Sequence, residues 1–141
     1  MQIWQKPISL EILNTMNEGS AADHLGLEFT ALGDDFLCAR LLVQKKTMQP
    51  FGRLHGGVSV LMAETLGSCG AYYACPVQFH TLGMEINANH IKGVSSGYIF
   101  GTTRAFHRGR TTHVWGIELV NEAQELICIS RITMAIIPNR A

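Results

Sequence analysis

Two hydrophobic periodicities divide the chain into elements. Apolar residues between Leu10 and Met16 recur at helical spacing behind Ser9, a suitable N-cap, and predict an amphipathic helix that ends near Gly19. A second, short helical turn is predicted over residues 20–26. Beyond it the period changes to two, which is typical of strands with two different faces.

Strands account for most of the remaining chain. Residues 27–43 predict a hairpin that turns at Gly33-Asp34-Asp35, and NEAQE at residues 121–125 predicts another turn. Four longer strands are predicted in the second half of the chain, over residues 81–91, 97–109, 111–122 and 125–137.

A long apolar helix interrupts the strands at residues 57–74, between a loop over residues 47–57 and Pro76. A glycine inside a helix costs about 1 kcal/mol relative to alanine, so its glycines predict close packing against the sheet or a ligand. The small residues of this helix are Gly57, Ser59, Ala63, Gly67, Ser68, Gly70 and Ala71.

This order of elements predicts an α+β fold in which one antiparallel sheet packs on one central helix, as a single domain over residues 1–141. A chain that is 47% hydrophobic with zero net charge argues against disorder and against nucleic-acid binding through bulk positive charge. The sequence contains no run of 18 apolar residues that would predict a membrane span. Its first residues do not show the basic and then apolar pattern of a secretory signal peptide, so we expect a cytoplasmic protein. The four cysteines lack metal-ligand spacing, and we expect them to be reduced, without bound metal.

One carboxylate, Glu64, interrupts the apolar helix. It lies either on the solvent edge of the helix or beside a site that uses it, because an unpaired buried carboxylate is costly. Ser68 shares its face one turn later. Ser68 is either a small packing residue or a hydroxyl that orients the carboxylate or a water.

The turn before the helix carries hydrogen-bond donors. Backbone amides at a helix N-terminus favour negative charge, so the free amides where His55-Gly56-Gly57 enters the helix would stabilise an oxyanion placed there. His55 either caps backbone groups or polarises a carbonyl, and the amide of Gln49 can contact a carbonyl or a water. Bases near the strand ends either bind phosphates or are solvated charges, namely His90, Lys92, His107, Arg108 and Arg110.

The chain resembles a known family in four stretches: QPFGRLHGG, AETLGS, GMEINANH, and HRGR before VWGIEL. These resemble the hotdog-fold acyl-CoA thioesterases of the 4-hydroxybenzoyl-CoA thioesterase type, and the resemblance covers nearly the whole chain. It is strongest to the bacterial branch that hydrolyses 1,4-dihydroxy-2-naphthoyl-CoA or aryl thioesters on enterobactin-synthesis carriers. It implies an antiparallel sheet wrapped around one long helix, no cofactor, and a dimer of dimers with active sites between subunits.

The resemblance also implies roles for single residues. Glu64 would be the catalytic carboxylate, as nucleophile or as general base on water, and the Gly56 N–H the oxyanion donor. Gln49 and His55 would position the thioester carbonyl, and Ser68 would help to place the water. The residues implied to contact the rest of the substrate are Gly83 and Met84 in the pantetheine channel, His90, Lys92, His107, Arg108, Arg110, Thr111 and Thr112 at the nucleotide, and Cys69 near the acyl group.

The implied reaction is hydrolysis of an aromatic acyl-CoA, such as 1,4-dihydroxy-2-naphthoyl-CoA or hydroxybenzoyl-CoA, to the free acid and CoA. The first of these substrates would place the enzyme in menaquinone biosynthesis. Proofreading of thioesters on acyl or aryl carrier proteins is one alternative. A non-catalytic acyl-CoA-binding module is another, although a binder would not need Glu64. We expect no nucleic-acid or membrane partner.

Two positions depart from the family pattern. Cys69 stands where we expect Val, Leu or Met, and Lys92 stands where relatives usually carry Arg. Lysine is a point charge rather than a bidentate fork, so the phosphate contacts would differ. Both departures affect the choice of substrate and leave the chemistry unchanged.

Overall fold

The computed structural model describes all 141 residues. Ser9 accepts a hydrogen bond from the backbone N–H of Ile12 and begins helix α1, Leu10–Asn17, which confirms the predicted N-cap. The helix is less amphipathic than its sequence suggests. Leu13 is fully buried, whereas Ile12 and Met16 keep 40% and 49% of their surface exposed.

Six strands follow α1 and a short helix α2, Ala21–His24. They are β1 (Glu28–Leu32), β2 (Phe36–Leu42), β3 (Phe79–His90), β4 (Tyr98–Arg108), β5 (Thr112–Val120) and β6 (Leu126–Pro138). All pair antiparallel in one sheet with the order β1-β2-β4-β5-β6-β3. The two predicted turns and all the predicted strands are confirmed, with ends shifted by a few residues.

The long helix α3, Gly56–Ala74, packs on one face of this sheet and contacts strands β2 to β6. Two of its glycines allow the close approach. A Cβ atom added to Gly67 would lie 2.5 Å from the side chain of Ile132, and one added to Gly70 would lie 2.7 Å from the Trp115 ring. The α+β architecture with one central helix is therefore confirmed. No helix has the length and hydropathy of a membrane span.

The segment before α3 is more structured than the predicted loop. Residues Lys45–Thr47 form a 3₁₀ turn, and Met48 and Leu54 pair as an isolated bridge. The Leu54 N–H also donates to the Val94 carbonyl at 2.8 Å. These contacts fix the chain where it enters α3.

The two edges of the sheet differ. At the β1 edge, the side chain of Asn14 in α1 donates to the Phe29 carbonyl at 3.1 Å and accepts from the Phe29 N–H at 2.9 Å, as a neighbouring strand would. The outer edge of β3 has no such cover, and Leu82 and Met84 on this strand are 55% and 65% exposed. The β3 edge is therefore free to accept another strand.

We expect Gly70→Ala to lower the unfolding midpoint. The new methyl group would overlap the ring of Trp115, which is fully buried and stacked on Trp4 with a centroid distance of 6.3 Å. Overpacking of this kind costs about 1–3 kcal/mol. The gain in helix propensity is only about 1 kcal/mol. Thermal denaturation followed by circular dichroism measures the change, and a raised midpoint would mean that the ring yields at little cost.

Candidate active site

Glu64 lies on the side of α3 that faces the free β3 edge. A Cβ atom added to Gly83 would lie 3.6 Å from Glu64 Oε1 and 3.8 Å from Met134 Sδ. The Glu64 side chain is exposed and lies at the solvent edge of the helix in the single chain. One turn later, the Ser68 hydroxyl contacts Met134 Sδ at 3.7 Å. The structure therefore brings Glu64, Ser68 and Gly83 together.

The strand beside Glu64 is irregular. The pairing of β3 with β6 shifts register between Gly83 and Glu85, which leaves Met84 as an extra, exposed residue. Bulges redirect side chains and occur frequently beside active sites. Gly83 therefore lies next to the carboxylate, and Met84 follows it at the bulge.

The N-terminus of α3 presents one free backbone amide. His55 is the N-cap, and its Nδ1 accepts from the Gly57 N–H at 2.8 Å, so the capping interpretation of this residue is confirmed. The N–H groups of Val58 and Ser59 both donate to the His55 carbonyl. The N–H of Gly56 has no acceptor. Because Nδ1 accepts, the neutral His55 imidazole carries its proton on Nε2, which is a second free donor.

Gln49 lies beside this helix end in a fixed orientation. Its side-chain Oε1 accepts from the Phe51 N–H at 2.5 Å, and its backbone N–H donates to the Arg53 carbonyl at 2.8 Å. The side-chain NH₂ group is left as a donor. A cavity of about 340 Å³ is lined by Gln49, Gly56 and His90, and His90 Nε2 lies 3.0 Å from the Cβ position of Gly56.

Two cations line the same cavity, but only one has an acidic partner. Lys92 forms an ion pair with Glu125. The hydrogen bond from Lys92, with a second from Asn121, lowers the pKa of the Glu125 carboxyl. Arg53 is exposed, takes part in no ion pair, and packs across Gly93, where an added Cβ would lie 3.0 Å from Arg53 Cδ. Sequence reasoning missed Arg53, although it lies inside the QPFGRLHGG stretch.

The turn between β4 and β5 holds the remaining predicted bases. The Gly109 N–H donates to the Thr112 carbonyl at 2.8 Å and closes the turn. The exposed residues of this turn and the strand end before it are His107, Arg108, Arg110 and Thr111, and neither arginine is part of an ion pair.

This turn and His90 lie at opposite ends of the sheet. Thr112 pairs with Ala135 of β6, whereas His90 pairs with Cys128 of the same strand. Seven residues of strand span about 23 Å. The single chain therefore does not bring the turn and the His90–Lys92 stretch together.

The carboxylate and the free amide are also apart. Gly56 and Glu64 are separated by just over two turns of α3, about 12 Å along the helix axis. We call the first group the donor half (Gln49, His55, Gly56 and His90) and the second the acid half (Glu64, Ser68, Gly83 and Met84). One chain contains both halves, and they lie at separate points along α3.

Two titratable side chains near the site are buried. Cys69 lies in the core beside Tyr73, and burial raises the pKa of its thiol to about 12. At this depth only an acyl group that penetrates between helix and sheet would touch it. His113 is also buried, and burial, followed by the charges of Arg108 and His107, lowers its pKa to about 4. His113 is therefore neutral at pH 7.

A larger concavity of about 520 Å³ lies on the opposite face of the sheet, away from α3. It is lined by residues such as Arg104, Phe106 and Arg131, and by none of the residues that the sequence assigned to chemistry or to substrate.

Comparison with known proteins identifies the family. Residues 51–128 match the family described as the Thioesterase superfamily. The 1,4-dihydroxy-2-naphthoyl-CoA hydrolase of Escherichia coli K12 is 42% identical over 135 residues, which cover 96% of this chain and 99% of that protein. The proofreading thioesterase EntH of Cronobacter turicensis is 41% identical over 134 residues, which cover 95% and 98% of the two chains.

Solved structures of related proteins have the same fold. The crystal structure of thioesterase HI1161 from Haemophilus influenzae superposes with a TM-score of 0.95 at 41% identity, and the match covers 97% of this chain and 96% of that one. The resemblance seen in the four sequence stretches is confirmed. Relatives named for different substrates have thioester hydrolysis in common. The chain therefore belongs to the Thioesterase superfamily and is a hotdog-fold enzyme that hydrolyses thioesters.

Proposed function

We propose that the enzyme hydrolyses aromatic acyl-CoA thioesters to the free acid and CoA, in an active site shared by two copies of the chain. The observation that carries the shared site is the separation of about 12 Å between the Gly56 amide and Glu64 along one helix. The relative named 1,4-dihydroxy-2-naphthoyl-CoA hydrolase supports an aromatic acyl group.

A two-fold axis would join the two halves. Gly56 lies beside His90, and Glu64 lies beside Gly83. The midpoint of Gly56 and Glu64 on α3 is Val60, and the midpoint of His90 and Gly83 on β3 falls just after residue 86. One axis through both midpoints would set the donor half of each copy opposite the acid half of the other.

The same axis would pair the two free β3 edges antiparallel. It would cover Leu82 and Met84, which are exposed in the single chain. Backbone pairing at an edge and burial of apolar side chains both favour such a contact. We expect two of these dimers to associate into a tetramer.

The chemistry follows from this arrangement. The thioester carbonyl oxygen would accept from the Gly56 N–H and from the Gln49 side chain, so the negative charge that develops on it meets fixed donors at a helix N-terminus. Glu64 of the second copy would either attack the carbonyl carbon or remove a proton from a water beside Ser68. The C–S bond breaks, and the thiolate leaves and is protonated. On the nucleophilic route, water then hydrolyses the acyl-enzyme anhydride.

The other predicted residues take positions along the substrate. Gly83 and Met84 would flank the pantetheine arm, opposite His90 of the second copy. The β4–β5 turn, His107–Thr112, offers Arg108 and Arg110 to the nucleotide phosphates. Cys69 would be reached only by the innermost part of the acyl group.

Proofreading is the second candidate, because relatives named proofreading thioesterase EntH match this chain over nearly its whole length. The reaction would be the same, with the pantetheine arm attached to a carrier protein instead of a nucleotide. Comparing kcat/KM for one aryl group on CoA and on an aryl carrier protein separates the two.

We expect Glu64→Gln to lower kcat by about 10²–10⁴-fold, the range for losing a positioned acid or base. An amide keeps the size of the side chain but neither attacks the carbonyl nor accepts a proton from water. Release of CoA from benzoyl-CoA, followed with a thiol reagent, measures the loss. Glu118→Gln on the opposite face of the sheet is the matched control. A folded Glu64→Gln enzyme with normal kcat would favour the binding-module alternative.

Mixing two inactive variants tests the shared site. Gln49→Ala damages the donor half and Glu64→Gln damages the acid half. A hybrid dimer then holds one doubly damaged site and one intact site, so unfolding and refolding the variants together should restore activity that neither has alone. If each chain held a complete site, the mixture would stay inactive.

Sedimentation should show at least a dimer, and a fully active monomer would contradict the proposal.

A further inference from the structure

We propose that Arg53 binds a phosphate group of the substrate's phosphopantetheine arm, at the outer end of the cavity that begins at Gly56. This inference rests on the proposed function, because it takes the Gly56 amide as the position of the thioester carbonyl. It assigns to Arg53 the role that family resemblance gave to Lys92.

The charge on Lys92 is already matched. Its ammonium forms an ion pair with Glu125, and Asn121 holds that carboxylate from the other side with a hydrogen bond of 3.1 Å. The lowered pKa of Glu125 keeps it ionised at neutral pH. A phosphate that approached Lys92 would have to displace a carboxylate fixed at two points.

Arg53 is a cation without a counter-charge in the same cavity. Its backbone is held on both sides, because the Gln49 N–H donates to the Arg53 carbonyl and the Leu54 N–H donates to Val94, both at 2.8 Å. The guanidinium therefore extends from a fixed point. A guanidinium also suits phosphate better than an ammonium does, because its N–H groups bind two oxygens at once.

The absence of a side chain at Gly93 allows the Arg53 side chain to lie across this position. Arg53 Cδ lies 3.0 Å from the Cβ position of Gly93, so a side chain there would push the arginine stem away. With glycine in place, the stem lies across the chain segment that follows β3. This segment, from His90 to Val94, lines the cavity that also contains the Gly56 helix end. A pantetheine arm that leaves the carbonyl at Gly56 can follow this wall to the guanidinium.

The ligand is a phosphate ester on pantetheine, which CoA and carrier proteins both supply. CoA carries a diphosphate next to the pantetheine and a separate 3′-phosphate on its ribose. A carrier protein has only the single phosphate that joins the arm to a serine. Substrates that differ in these groups identify the phosphate that Arg53 contacts.

The first experiment compares benzoyl-CoA with the benzoyl thioester of N-acetylcysteamine, which lacks every phosphate. For Arg53→Gln we expect KM for benzoyl-CoA to rise about tenfold, as for the loss of one charge-assisted hydrogen bond, with kcat little changed. The kinetics with the N-acetylcysteamine ester should stay close to those of the unaltered enzyme. Arg53→Lys should recover part of the loss, and Lys92→Gln should raise KM less than Arg53→Gln does. Arg131→Gln, an exposed arginine on the opposite face of the sheet, is the matched control.

A second variant tests the assignment in the opposite direction. Glu125→Gln would release Lys92, so in the Arg53→Gln background it should lower KM for benzoyl-CoA again.

Benzoyl-dephospho-CoA and benzoyl-phosphopantetheine distinguish the phosphates. An Arg53 effect that persists with benzoyl-phosphopantetheine assigns the contact to the phosphate shared by CoA and carrier proteins. An effect that disappears with dephospho-CoA would place the contact at the ribose 3′-phosphate instead and would contradict the inference.

Two further results would overturn the inference: an unchanged KM for benzoyl-CoA in Arg53→Gln, or an equal rise in KM for both esters. Either would leave the proposed function intact as long as the unaltered enzyme cleaves both thioesters through Glu64. Failure of the unaltered enzyme to release thiol from any ester would instead contradict the proposed function itself.

Discussion

The packing of α3 against the sheet is the constraint on which the rest of the molecule depends. Gly67 and Gly70 bring the helix backbone within contact of Ile132 and Trp115, and a helix held this closely cannot slide or bend toward its own N-terminus. The distance between the Gly56 amide and Glu64 is therefore set by helix geometry. We therefore propose that a site that uses both groups takes one of them from another copy, paired at the open β3 edge.

Hydrogen bonds within the loop orient the side-chain donors of the donor half. The Nδ1 of His55 is occupied by the Gly57 amide, and the Oε1 of Gln49 is occupied by the Phe51 amide. In each side chain the acceptor is used within the loop, and the donor is left for a ligand. Donors that are fixed before the substrate arrives lose little entropy when the oxyanion forms. Such preorganised donors usually make the largest electrostatic contribution to stabilising the transition state.

The basic residues separate into three kinds once their neighbours are known. Lys92 is paired with Glu125, Arg53 is free inside the cavity, and Arg108 and Arg110 are free on a distant turn. The sequence does not separate them, because it does not show which cation already has an acidic partner. Only the position of the acid, which comes from 33 residues further along the chain in the case of Lys92, distinguishes them.

The sequence by itself determined the elements and the chemical groups. Local hydrophobic period, the Ser9 cap, the glycines of α3 and the turn residues fixed the helices, strands and turns to within a few residues, because these depend on neighbours a few positions away. The stretches around Gln49, Gly56 and Glu64 identified the family and the reaction. The tertiary structure alone decided which strand edge is covered by Asn14 and which stays free. It also decided that Lys92 is paired with Glu125 and that Gly56 and Glu64 lie about 12 Å apart along α3. These are contacts between residues far apart in the chain, and no local pattern encodes the distance across a folded sheet.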